Sequence, residues 1–297
     1  MRARAIARLD DIVAVGATDV ALVVGWSQPD VKASRLTRGS STPADADLRA
    51  IAAAARDRGL AVVMFPIVIV ERTAMGEWRG TLAPRDVDAW WSSYENFILH
   101  HAAIARDTGA TALVVGSELG STEAWRDRWY HLIAAVERVY DGALWYSANW
   151  DHYDRVSFWP RLDAIGVTGY FELTTDRDAG AGALTAAWQK PRDALLAFAR
   201  RAGKPLILTE VGYPSRDGAA TRPWDYTADG AIDLEEQRRA FRALADAWTD
   251  RAAGVFVWEW SGDGGARDGG YAVRGKPARC EIERWWLAPP PVTSSAP

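Results

Sequence analysis

Ile207-Leu208-Thr209-Glu210-Val211-Gly212-Tyr213-Pro214-Ser215 is the stretch on which the fold is read. Lys204-Pro205 opens a short apolar run, the run ends on a carboxylate, and Gly212 and Pro214 prevent its continuing as strand or helix. This pattern predicts a buried parallel strand that delivers Glu210 at its C-terminal mouth. A lone Glu at a strand end can equally be a solvated residue, so a second example is needed. Ala112-Leu113-Val114-Val115-Gly116-Ser117-Glu118-Leu119-Gly120 supplies it. The distance from Glu118 to Glu210 fits three strand-plus-helix units of about 30 residues each. Both carboxylates then lie at one end of one sheet, three strands apart, where the βα loops of a closed α/β barrel converge on an active site.

Working outward, apolar runs at Val20 to Gly25, Leu60 to Val68, Gly142 to Ala148, Leu162 to Gly169 and Gly254 to Trp260 read as further strands. Helical patterns alternate with them. One runs from Arg4 to Val15. A second follows Thr42-Pro43, read as its cap, up to Arg58. A third follows Pro84-Arg85-Asp86 and closes at Gly109. Others run from about Glu123 to Tyr140, up to Ala202 with Gly203 beyond, from about Asp233 to Thr249, and up to about Trp286. Seven strands in strict alternation with helices predict a parallel sheet with right-handed crossovers. The expected fold is a TIM-type (β/α)8 barrel over residues 1–287 that lacks its first β-strand, because that strand belongs before the Arg4 helix. Such a barrel is open, or is completed by a segment outside this sequence; an upstream apolar strand, able to carry a secretion signal, is the expected completion. Residues 288–297, rich in Pro and Ser, read as a disordered tail.

Composition narrows the function. At 297 residues the chain suits one barrel of about 250 residues or more. A formal net charge of −4 offers no basic footprint for nucleic acid or an anionic membrane. The Leu60-to-Val70 run is too short to cross a bilayer. Cys280 is alone, so no intrachain disulfide forms, and the cellular location stays undetermined, with secretion or a periplasmic site open. His100, His101, His131 and His152 lack metal-ligand spacing, and the Asp263-to-Asp268 segment lacks that of a calcium loop. No metal or organic cofactor is expected. Sixteen tryptophans are the unusual feature. Aromatic faces pack on the C–H surfaces of sugars, so the excess suits a carbohydrate cleft as well as a core. Trp26, Trp78, Trp150, Trp224 and Trp258 fall at or beyond strand ends and are candidates for substrate binding. Trp90, Trp91, Trp125, Trp129, Trp188 and Trp248 fall in helical patterns, where packing is the expected role.

Several segments then carry a family resemblance. Trp91 to Ala102, Gly116-Ser117-Glu118-Leu119, Ser147 to Tyr153, Gly166 to Leu173 and Thr209 to Asp217 follow one another in order. With Asp233-Leu234-Glu235-Glu236-Gln237 and Gly275-Lys276-Pro277-Ala278 they resemble glycoside hydrolase family 113, retaining β-mannanases and related clan A (β/α)8 barrels. The resemblance runs from Arg4 to Trp286. It implies that Glu118 matches the acid/base and Glu210 the nucleophile, with Tyr170 where clan members hydrogen-bond the nucleophile. It also implies a floor for the reacting sugar at Trp258. Ser117 stands where most of the clan has Asn, so contact with the sugar 2-hydroxyl must come from elsewhere, and Asn149 is the candidate.

The expected activity is cleavage of β-1,4-mannan or manno-oligosaccharides by a monomer with two catalytic Glu residues. Glu118 is expected to be protonated and Glu210 ionised when the sugar arrives. A non-catalytic carbohydrate-binding barrel, a β-glycosidase for another β-linked polysaccharide, and a barrel hydrolase of another class remain as alternatives.

Overall fold

The computed structural model describes residues 2–288. The tail expected from Ala288 onward therefore lies, from residue 289, outside the described residues. Seven strands form one parallel sheet: β1 (Asp19–Gln28), β2 (Ala61–Val70), β3 (Ala112–Ser117), β4 (Ala143–Ala148), β5 (Ile165–Thr168), β6 (Leu206–Val211) and β7 (Gly254–Val257). Helices α1 (Arg2–Ala14), α2 (Asp45–Arg56), α3 (Val87–Thr108), α4 (Arg126–Glu137), α5 (Ala181–Ala202), α6 (Leu234–Trp248) and α7 (Ala278–Trp286) alternate with them. Spatial order follows chain order from β1 to β7, as right-handed βαβ units require.

The sheet curls but does not close, for β1 and β7 do not pair among the described residues. It is a (β/α)8 barrel lacking one strand, and the gap falls where a strand preceding α1 would sit. Its borders are less covered than the centre. β3, β5 and β6 are buried throughout, whereas every residue of β7 is half-buried and Val23 on β1 is 36% exposed.

Apolar side chains divide between the two faces of the sheet. A small inner cluster joins Val63, Phe65, Ala112 and Val114, with Ala21, Ile67, Trp145 and Phe256 at its edge. The larger cluster lies between sheet and helices and holds most of the helical tryptophans. Trp90, Trp129, Trp188 and Trp248 are fully buried there. Trp129 stacks on Phe158 at 4.3 Å and meets Trp91 edge-on at 5.2 Å. Such pairs contribute about 0.5–1.5 kcal/mol beyond area burial, so packing accounts for these residues, as their helical positions imply.

Some helix ends carry the expected capping chemistry and one expected cap does something else. Asp86 accepts from the Ala89 amide at α3, Asp233 accepts from the Glu235 and Glu236 amides at α6, and α3 ends on left-handed Gly109. Thr42 and Pro43, however, do not start α2. The helix begins at Asp45 after Ala44, which supplies no side-chain cap. Thr42 instead bonds the Gly25 carbonyl at 2.6 Å, tying the loop to β1, and that stronger tertiary partner replaces the capping role.

Candidate active site

Two strands depart from even register, and they are the two that carry the candidate carboxylates. Between Val114 and Ser117, β3 fits three steps against two of β4. β6 likewise has one residue too many around Thr209, against both β5 and β7. A bulge bends its strand and re-aims the next side chain. Here the re-aimed residues are Glu118 and Glu210.

Glu118 follows β3 with φ +54°, a left-handed conformation that costs a residue with a Cβ on the order of 1–3 kcal/mol. Its amide donates to the Ser147 carbonyl at 2.8 Å. Its carboxylate Oε2 accepts from Arg79 Nη2 at 2.6 Å. Glu210 accepts from the Tyr170 hydroxyl at 3.2 Å. Both Glu side chains belong to residues only 5% exposed. Behind them Ser147 and Thr209 join hydroxyls at 2.6 Å, linking β4 to β6. Gly212 lets β6 approach the chain after β7, since a Cβ there would stand 2.0 Å from the Trp258 carbonyl oxygen.

Charge in this pocket is unevenly distributed. Burial, reinforced by the negative charge of Glu118, pushes the Glu210 carboxyl up to about 8. Burial alone lowers the Arg79 guanidinium, but the charges of Glu118 and Glu210 outweigh it and the net shift is upward. Tyr170, buried beside both acids, is held well above the ordinary phenol range by the same desolvation. Glu118 is ion-paired with Arg79, whereas Glu210 has no direct cation contact among the described residues and is bonded by Tyr170.

Arg79 is the site residue that sequence reasoning missed. It sits in the short 3-10 turn Arg79–Thr81, beyond the end of β2, and no periodicity fixes such a loop position. Its one signal was a cation next to Trp78, itself a candidate for the cleft. Trp78 covers Gly80 and is half-buried beside the ion pair.

The remaining candidates scatter. Asn149, at the end of β4, donates to Asp151 at 2.6 Å and accepts from Thr168 at 3.4 Å. Trp224 is 43% exposed and donates to Glu172 at 3.1 Å. Trp258 is half-buried just past β7. Trp150 meets Phe171 edge-on at 5.4 Å at the margin of the outer core. Trp26 turns away from the strand ends' inner side: its ring packs on Phe97, His100 and His101 of α3, on the outer face of the sheet. Among the described residues no group of three or more His, Cys, Asp or Glu side chains is arranged to hold a metal ion.

The sequence model of Glycoside Hydrolase Family 113 matches residues 1–276. The chain belongs to glycoside hydrolase family 113. Solved structures agree along almost the whole length. A GH113 β-1,4-mannanase superimposes with a TM-score of 0.86 at 26% identity, covering 97% of this chain and 93% of that one. The GH113 β-mannanase from Alicyclobacillus acidocaldarius, in complex with ManMIm, gives 0.85 at 28% identity, covering 95% and 90%. A GH5_18 protein from Streptomyces cattleya, at 18% identity, covers 98% of this chain and 76% of that one with a TM-score of 0.67, a likeness of fold. No curated protein matches the chain in sequence. As a GH113 member the protein is a glycoside hydrolase, and Glu118 and Glu210 stand close enough to Arg79 for both charges to raise its guanidinium.

Proposed function

We propose that this GH113 protein is a retaining β-glycosidase acting on β-1,4-linked mannan or manno-oligosaccharides, with Glu210 as nucleophile and Glu118 as acid/base. The observation that carries the reading is the pair of bulged strand ends that turn Glu118 and Glu210 into one buried pocket beside Arg79. The substrate class comes from the solved family members described as β-mannanases, at 26–28% identity over nearly all of both chains.

In the first step a Glu210 oxygen attacks the anomeric carbon, and the glycosidic C–O bond breaks. The leaving oxygen keeps the bonding pair and takes the proton of Glu118. In the second step Glu118, now a base, removes a proton from water; the water oxygen attacks the anomeric carbon and releases Glu210. A retaining pair stands about 5–5.5 Å apart. The first step requires the proton on Glu118 and not on Glu210, and a sugar hydroxyl that draws Arg79 off Glu118 favours that arrangement. Tyr170 then steadies ionised Glu210 for attack. Trp78, Trp150, Trp224 and Trp258 are assigned to sugar contacts, with Asn149 for the 2-hydroxyl.

The test is hydrolysis of manno-, gluco- and xylo-oligosaccharides by purified protein, with NMR of the anomer first released. Release of the β-anomer from manno-oligosaccharides is expected; an α-anomer first would exclude retention. A 2-deoxy-2-fluoro mannosyl inactivator should label the peptide containing Glu210. The open border beside β7 favours one other reading, a barrel that binds sugar without cleaving it. Its signature is oligosaccharide binding with no new reducing ends.

A further inference from the structure

Glu123 is a buried carboxylate for which the proposed reaction has no use. It is 2% exposed, has no guanidinium or ammonium partner among the described residues, and burial pushes its pKa up despite a hydrogen bond from Tyr146. Its Oε1 accepts from the Tyr146 hydroxyl at 2.8 Å, and its Oε2 has no hydrogen-bond partner among the described residues. Keeping such a group dry is costly unless it fixes something else.

What it fixes is visible at the other side of the same hydroxyl. The Tyr146 oxygen accepts from the Leu119 amide at 2.9 Å, one residue after Glu118. Having given its proton to Glu123, the hydroxyl presents its lone pairs to that amide. The preceding amide, of Glu118 itself, donates to the Ser147 carbonyl. Two consecutive amides of the left-handed turn are therefore held by two consecutive residues of β4.

The Tyr146 ring cannot drift. It is fully buried, with ring centroids of Trp129 at 5.3 Å, Phe158 at 5.0 Å and Trp159 at 6.1 Å. Gly116 makes room for it, since a Cβ there would stand 2.8 Å from Trp129 and 3.0 Å from Tyr146.

We infer that Tyr146 and Glu123 are positioning residues for the acid/base: Glu123 orients the Tyr146 hydroxyl, which pins the turn that aims Glu118 at the leaving group. This rests on the proposed roles of Glu118 and Glu210. Neither Tyr146 nor Glu123 touches the sugar. Their effect is on where the Glu118 carboxyl stands when it gives up its proton, and a misplacement of about 1 Å can cost 10²-fold.

The experiment compares two aryl β-mannobiosides, one with a dinitrophenolate leaving group that needs little protonation and one with a poor phenolate leaving group. Tyr146→Phe removes the acceptor for the Leu119 amide. It should lose roughly 10–100-fold in kcat/KM, which reports the first step, on the poor leaving group and little on the activated one. Glu123→Gln keeps an oxygen to accept from Tyr146 and should stay close to wild type on both. Glu123→Ala should reproduce the contrast, and it carries the test if Tyr146→Phe does not yield folded protein by circular dichroism. Equal losses on both substrates, or none, in the folded variants would overturn the inference. Glu118→Ala run alongside separates the two levels. If wild type cleaves neither substrate, the reaction is wrong; if Glu118→Ala shows the contrast and Tyr146→Phe does not, only the positioning role falls.

Discussion

Arg79 is bonded to Glu118 and not to Glu210, although the charges of both acids raise its pKa. One guanidinium and two carboxylates in a buried pocket leave an excess negative charge, which a single proton cancels. Burial and the charge of Glu118 both raise the Glu210 carboxyl, against the opposing pull of Arg79.

Replacing Arg79 with Gln removes the nearest cation from both acids. The two macroscopic ionisations of the pair should then move to higher pH, since losing a positive neighbour disfavours the charged forms. The pH profile of kcat/KM on an aryl mannobioside should shift to the alkaline side, with a fall of roughly 10²-fold at its maximum. Arg79→Lys keeps the charge and should keep the wild-type profile. Identical profiles for Gln and wild type would show that Arg79 does not govern the pair.

Glu210 also leaves a mark on stability. Its folded-state pKa, about 8, lies above the ordinary 4.5, so the native state holds a proton that the unfolded chain has lost between those values. The stabilisation this gives is fully present below about pH 4.5 and is lost as pH rises through about 8. Glu210→Gln cannot ionise and escapes that loss. Melting temperatures of wild type and variant, measured at pH 5, 7 and 9, should diverge in favour of the variant as pH rises. Parallel curves would contradict the buried, charge-coupled setting.

The contrast between what was and was not readable follows from the range of each interaction. Glu118 and Glu210 were legible because an apolar run, a carboxylate and a glycine are neighbours in sequence, and parallel βαβ units place such endings on one rim. The bulges were not, because an extra residue is defined only against the strand beside it. Trp26 was misplaced for a related reason: a strand-end position does not say which face a side chain takes, and this one turns to Phe97. Thr42 looked like a cap because Pro follows it, yet its hydroxyl found the Gly25 carbonyl. Arg79 and Tyr146 act through partners 39 and 27 residues away, and no local pattern announces them.

Gly212 offers a test of how tightly β6 and the residues after β7 are apposed. Ala at this position would bring its methyl to 2.0 Å from the Trp258 carbonyl oxygen, a backbone atom that cannot swing aside. The mouth beside Glu210 would have to widen. Overpacking of this kind costs about 1–3 kcal/mol, so Gly212→Ala should lower the melting temperature by several degrees and reduce turnover. An unchanged melting temperature would mean that the two segments separate freely.

Trp224 tests whether the exposed aromatics serve the substrate. Its ring is 43% exposed, yet its indole N–H is fixed by Glu172, two residues beyond Tyr170. The ring is therefore tethered to the segment that follows Tyr170, which lowers the cost of ordering it when a sugar arrives. A sugar that stacks there and away from the bond being broken is held equally strongly in ground and transition states. Trp224→Ala should raise KM about tenfold with kcat little changed. The effect should grow with substrate length and vanish for a mannobioside too short to reach the ring. Glu172→Gln retains an acceptor for the indole and should be milder than Trp224→Ala. Kinetics on a series from mannobiose to mannohexaose would decide it; a loss in kcat independent of chain length would assign Trp224 to the scaffold instead.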